Sequence, residues 1–130
     1  MRAAAATILG YWREPSGAII RIVPCGPALC VDLVALPPGR HPSTDVRNPN
    51  RGLRERPLCG LRIGAGFIER DARHADGGHI YDPRNGRTYR GSMTLDGNLL
   101  RLRGYVGLRL FGRTETWMRV DEPPAACSTP

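Results

Sequence analysis

A chain of 130 residues with a formal net charge of +7, 16 Gly and 12 Pro is one domain of many short elements joined by tight turns. All 19 of its Lys and Arg residues are Arg, which excludes Lys Schiff-base chemistry, and no apolar run approaches the roughly 18 residues that a membrane-spanning helix needs. The arginines are scattered from Arg2 to Arg119 with no basic cluster interleaved with aromatics, so the charge predicts a solvated surface, an acidic ligand or an anionic membrane surface rather than nucleic acid.

Residues 1–6, Met1-Arg2 and four Ala, lack the apolar core of a signal peptide, but such small residues often flank a cleavage site. They read as a residual leader behind a new start, with a frayed end of an intact cytoplasmic chain as the alternative. Thr7 to Arg13 is the first predicted strand. It contains Gly10-Tyr11-Trp12, which resembles the Gly-x-Trp signature that opens lipocalin barrels. That resemblance implies that Trp12 packs across the closed end of a barrel under an Arg of the last strand, Arg119 or Arg113, and that Gly10 lets another backbone approach.

Pro15-Ser16-Gly17 is a turn, Ala18 to Val23 the second strand, Pro24 to Pro27 a turn and Leu29 to Leu36 the third strand. Cys25 and Cys30 flank the Gly26-Pro27 turn, where paired strands bring two thiols within bridging reach. Their spacing is wrong for a zinc knuckle, so a disulfide is predicted, and with it an oxidising compartment, periplasmic or extracellular. Closing so small a loop contributes only roughly 2 kcal/mol. Cys59 and Cys127 either pair and tether the tail or stay free; sequence leaves both open.

Pro37 to Pro57 is polar, Pro-rich and long for a compact domain, hence a functional loop or a lid. Within it, Asp45 and Asn48 read as caps of a short helical turn, with ligand binding as the alternative. A fourth strand leads through Phe67, and Glu69 to Asp76 reads as a charged connection. His79 to Asp82, Thr88 to Leu95 and Asn98 to Tyr105 then form an antiparallel meander, turned by Asn85-Gly86 and Asp96-Gly97. Val106 to Gly112 is a helical turn or a bulged crossing, Thr114 to Val120 the last strand, and 121–130 a polar mobile tail. About eight strands over 7–120 predict an all-β, single antiparallel up-and-down barrel, with room for side chains or one small ligand.

The stretches Gly77-Gly78-His79-Ile80-Tyr81-Asp82-Pro83-Arg84-Asn85-Gly86-Arg87-Thr88-Tyr89, Gly104-Tyr105-Val106-Gly107 and Gly112-Arg113-Thr114-Glu115-Thr116-Trp117 resemble the bacterial family known as domain of unknown function 2147. Thr44 to Asn50 and Arg56 to Leu61 extend the resemblance, which runs from Leu9 to about Val120. It implies small exported proteins with a lipocalin-like barrel and carries no agreed activity. Cys59 and Cys127 depart from the family pattern.

The most specific motif surrounds Asp82. As chemistry, Asp82 would be a base beside His79, with Tyr81 or Tyr89 as acid; as structure, it accepts backbone amides of the Pro-Asn-Gly turn, the favoured reading. Arg113, Glu115, Trp117 and Arg119 alternate, so a regular strand points all four one way, and buried charges there must pair, Glu115 with Arg113 or Arg119. His41, His74 and His79 lack metal-ligand spacing, and Gly64-Ala65-Gly66 lacks the third Gly and the helix of a phosphate loop, so neither metal nor cofactor is expected. The predicted pocket is lined by Tyr81, Tyr89, Tyr105, Arg113 and Trp117 and suits a small amphiphilic or acidic ligand. The alternatives are an enzyme using that cavity and a structural or partner-binding module with a filled barrel.

Overall fold

The structure, a computed structural model, describes residues 7–39, 42–106 and 112–121. Eight strands follow in order: β1 (Gly10–Arg13), β2 (Ile19–Cys25), β3 (Ala28–Ala35), β4 (Arg62–Asp71), β5 (His74–Asp82), β6 (Arg87–Asp96), β7 (Leu99–Tyr105) and β8 (Arg113–Val120). Each pairs antiparallel with the next and β8 returns to β1, closing an up-and-down barrel. Helix among the described residues is one 3-10 turn, Arg51–Leu53. Residues 1–6, most of the expected crossing at Val106 to Gly112, His41, and the tail with Cys127 lie outside the described residues.

The turn chemistry sets the meander. Asn85-Gly86 joins β5 to β6 and Asp96-Gly97 joins β6 to β7, both glycines at positive φ. Cys25 and Cys30 are joined by a disulfide with Cα atoms 5.6 Å apart across the β2–β3 turn, and Cys59 is disulfide-bonded as well. One expected connection is not there. Glu69 to Asp76 is no connection, because β4 runs to Asp71 and β5 begins at His74, opposite it. The charges there belong to the solvent face of a hairpin, where Arg70 pairs with Asp76 at 2.7 Å and His74 with Asp71 at 2.8 Å, while Phe67 and Ala75 face inward.

Up-and-down connection sends the β1–β2 turn, the 36–61 segment, the β5–β6 turn and the β7–β8 connection to one end. The other end is filled. Phe67 is fully buried there and crosses the barrel so closely that a Cβ on Gly78 would lie 2.4 Å from its ring. Trp12, also fully buried, donates its indole N–H to the Ile8 carbonyl at 2.8 Å. The Arg119 guanidinium lies 4.0 Å over that ring and donates to the carbonyls of Leu9, at 2.7 Å, and Thr7. Gly10, at φ 113, leaves the guanidinium its space: a Cβ would stand 3.0 Å from it.

Replacing Trp12 by Ala therefore empties the closed end and is expected to cost about 3–5 kcal/mol, read as a lowered urea midpoint at unchanged slope. A near-neutral result would mean that the ring is no part of the core.

Candidate functional site

Above the filled end the barrel holds a cavity of about 830 Å³ that opens between the four connections. Ile63, Ile80, Leu102 and Trp117 give it apolar walls. Register decides which side chains of β8 reach it: Arg113, Glu115 and Trp117 stand opposite Gly104, Leu102 and Leu100 of β7, so all three lie on the inner face. Trp117 is buried, Glu115 half-buried and Arg113 exposed at the entrance.

A polar network crosses the cavity wall. Glu115 accepts the Trp117 indole N–H at 2.8 Å through Oε1 and an Arg84 N–H at 3.2 Å through Oε2. Arg84 also grips Asp82, donating from Nε at 3.0 Å and from Nη2 at 3.0 Å, and Asp82 accepts the Arg84 amide at 2.9 Å. The hydrogen bonds from Arg84 to Asp82, with the nearby Glu115, hold this guanidinium firmly in its charged form. Glu115 thus pairs with neither Arg113 nor Arg119: Arg113 stands nearer the mouth and Arg119 is stacked on Trp12 at the opposite end. Asp82 is a turn residue, its carbonyl also accepting the amides of Asn85 and Gly86.

Glu14, in the β1–β2 turn, faces the same space and accepts the Ser16 hydroxyl at 2.6 Å. Burial raises its pKa, the Ser16 bond opposes that, and the Glu115 charge adds to the rise. Nothing in the sequence distinguished Glu14 or Arg84, since both lie in turns and reach the cavity only through closure of the barrel.

The three tyrosines differ. Tyr89 stands opposite Ile80 on the inner face, its hydroxyl accepting the Asn85 amide N–H at 2.8 Å. Tyr105, opposite exposed Arg90, borders the cavity from the end of β7. Tyr81 alternates with inward Ile80 and stands opposite exposed Thr88, so it turns to the outer side, beneath the 36–61 segment, while still bordering the cavity. Its hydroxyl donates to Asp45 at 2.6 Å.

Asp45 is 1% exposed and also accepts from Asn48 at 2.8 Å and Arg56 at 2.9 Å, while Arg56 lies 5.7 Å from the Tyr81 ring centre. The cap of the 3-10 turn is Asn50, not Asp45 or Asn48: it accepts the Gly52 amide at 3.0 Å. Gly86, at φ 73, seats the β5–β6 turn against the same segment, where a Cβ would fall 2.1 Å from the Arg47 carbonyl oxygen. Residues 44–57 of that segment are therefore a pinned wall of the entrance. His79 is exposed and alternates away from Asp82, on the outer side, so the arrangement of Asp82, His79 and a tyrosine expected for an enzyme is not assembled.

A family model described as "Uncharacterized protein conserved in bacteria (DUF2147)" matches residues 10–119. No curated protein matches the chain. Among solved structures, HP1028 from Helicobacter pylori, described as belonging to the lipocalin family, is similar with a TM-score of 0.83 and 21% identity, over 91% of this chain and 86% of that one. At that identity the likeness carries the fold alone.

The Asp45 clamp makes a measurable claim. Burial pushes the carboxyl up, but the hydrogen bonds from Tyr81, Asn48 and Arg56 together outweigh it and bring its pKa below the usual 3.8. Burial and the bond to Asp45 push Tyr81 up to about 12. Asp45→Ala is expected to cost about 3 kcal/mol and Tyr81→Phe about 1–3 kcal/mol. A depressed carboxylate stabilises above its unfolded pKa and loses that contribution as pH falls through the folded one. The gap between wild type and Asp45→Ala in urea titrations should thus hold at neutral pH and narrow as pH falls below 3.8; a gap that does not narrow there would assign the loss to packing.

Proposed function

The chain belongs to the bacterial DUF2147 family, and from that footing we propose that it is an exported protein whose barrel holds one small amphiphilic molecule. The observation that carries the reading is the cavity of about 830 Å³, open at one end and seated on a filled base. That is the size of pockets that enclose a drug-sized ligand, about 300–1,000 Å³. Its walls combine apolar side chains with Tyr89 and Trp117, so burial of an apolar body drives entry. Arg84 is engaged by Asp82 and Glu115, whereas Arg113 stands on the inner face at the mouth, where it would meet an acidic or carbonyl head. The expected ligands are fatty-acid-like or aromatic carboxylates.

Native mass spectrometry of protein isolated from its host is expected to show a bound molecule of this class. Arg113→Ala should weaken binding of a carboxylate panel by about tenfold, the worth of one charge-assisted hydrogen bond. An empty protein that also ignores the panel, or a variant that binds it unchanged, would defeat the proposal.

A second reading, an enzyme in the same cavity, draws on Glu14: a carboxyl raised by burial and facing Glu115 has the character of a general acid. It predicts that added ligand emerges altered, which the same mass measurement reads.

Periplasmic or secreted residence is supported by the Cys25–Cys30 disulfide, a bond that persists in oxidising compartments. Peptide mapping of unreduced protein from the envelope or medium should recover these two cysteines linked. Finding both alkylated in that material would remove the support for export.

A further inference from the structure

The entrance of the barrel carries exposed apolar and basic side chains that the fold does not require. Val46 is 47% exposed and Val106 64% exposed, and both border the cavity mouth. Arg47, Arg87 and Arg113 border it too, all exposed, and none of the three is in an ion pair among the described residues. On the barrel wall Arg62, Arg70 and Arg101 are neutralised by Asp32, Asp76 and Asp96, whereas the exposed Arg21 and Arg90 are in no ion pair among the described residues. What sets the mouth apart is that its three arginines border the same opening as two exposed valines.

The display of Val46 and Arg47 is built rather than slack. They lie between Asp45 and Asn48, both buried and hydrogen-bonded to each other at 2.8 Å, and the Arg47 carbonyl is seated against Gly86. The segment is thus fastened on either side of its tip, and the tip holds an apolar and a basic side chain out to solvent. Exposed apolar groups ringed by uncompensated guanidinium groups, on a chain of net charge +7, are complementary to a surface that is apolar below and anionic above.

We propose that the open end of the barrel docks on a bilayer bearing anionic lipid headgroups. Val46 and Val106 enter the interfacial layer, Arg47, Arg87 and Arg113 meet the headgroup charges, and the cavity faces the layer in which amphiphiles reside. Uptake of a ligand from that layer rests on the binding reading above; docking itself does not.

The test is co-sedimentation of the ligand-free protein with phosphatidylcholine vesicles, with and without phosphatidylglycerol, at low and at physiological salt. Binding is expected on the anionic vesicles, weakening as salt screens the headgroups. Arg47→Ser/Arg87→Ser should weaken it by about fivefold per arginine, with Arg113 left intact so that docking and ligand holding are separated. Val46→Ser/Val106→Ser should weaken it as well, and the wall pair Arg70→Ser/Arg101→Ser much less; circular dichroism melts establish that each variant folds. Loss of equal size from mouth and wall arginines would reduce the effect to net charge and overturn the proposal. So would an absence of anionic-vesicle binding, or valine variants that bind unchanged while a soluble acidic protein competes, which would make an acidic macromolecule the partner. Failure on vesicles with carboxylate binding intact refutes docking alone; the converse refutes only the ligand.

Discussion

The barrel depends on its seam. β1 is four residues long and meets β8 through three pairs, Tyr11 with Val120, Trp12 with Arg119 and Arg13 with Met118. A ladder that short contributes little by itself, and an open sheet would expose two edges and a hydrophobic face. Trp12 and Arg119, directly opposite, supply what the ladder lacks. The ring fills the end of the barrel, the half-buried guanidinium stacks on it, and its hydrogen bonds to Leu9 and Thr7 extend the seam beyond the last paired residue. One aromatic residue, one arginine and one glycine thus close the sheet and plug one end.

That plug makes the cavity one-sided. Phe67, Trp12 and Ile22 occupy the closed half, and the space lies toward the connections, where Glu115, Asp82, Arg113 and Tyr89 join the inward Ile and Leu side chains. Charges in such a place persist only when paired, and the Asp82–Arg84–Glu115 chain pairs them, with the Trp117 indole satisfying the remaining oxygen. The network is a wall, rigid and already satisfied. Recognition therefore falls to groups at its margin, Glu14 on one side and Arg113 at the mouth.

Most of the fold was legible because its signals are local. Asn85-Gly86 and Asp96-Gly97 announce hairpins, alternation on β8 assigns its inner face, and the cysteine spacing announces a bridge across one turn. The β4–β5 hairpin was not, because Glu69, Arg70, Asp71 and Asp76 carry a loop's composition on a strand's solvent face. The Asp45–Tyr81 bond joins residues 36 positions apart, and Tyr81 gives no local sign that its hydroxyl serves a distant loop rather than the cavity. The partner of Glu115 was missed likewise: alternation gives a face, but the cation arrives from another turn.

The seam and the entrance are consequently held by different chemistry. The seam rests on an indole and a guanidinium, neither of which titrates in the acid range. The entrance rests on Asp45, whose contribution fades as pH falls through its depressed pKa. Glu14 acts in the opposite sense: raised by burial, it favours the folded state most fully when protonated, so that acid relieves it and rising pH charges it against Glu115 and Asp82. Acid therefore weakens the Asp45 clamp at the entrance and relieves Glu14 inside it, while the indole–guanidinium stack of the seam carries no group that titrates there.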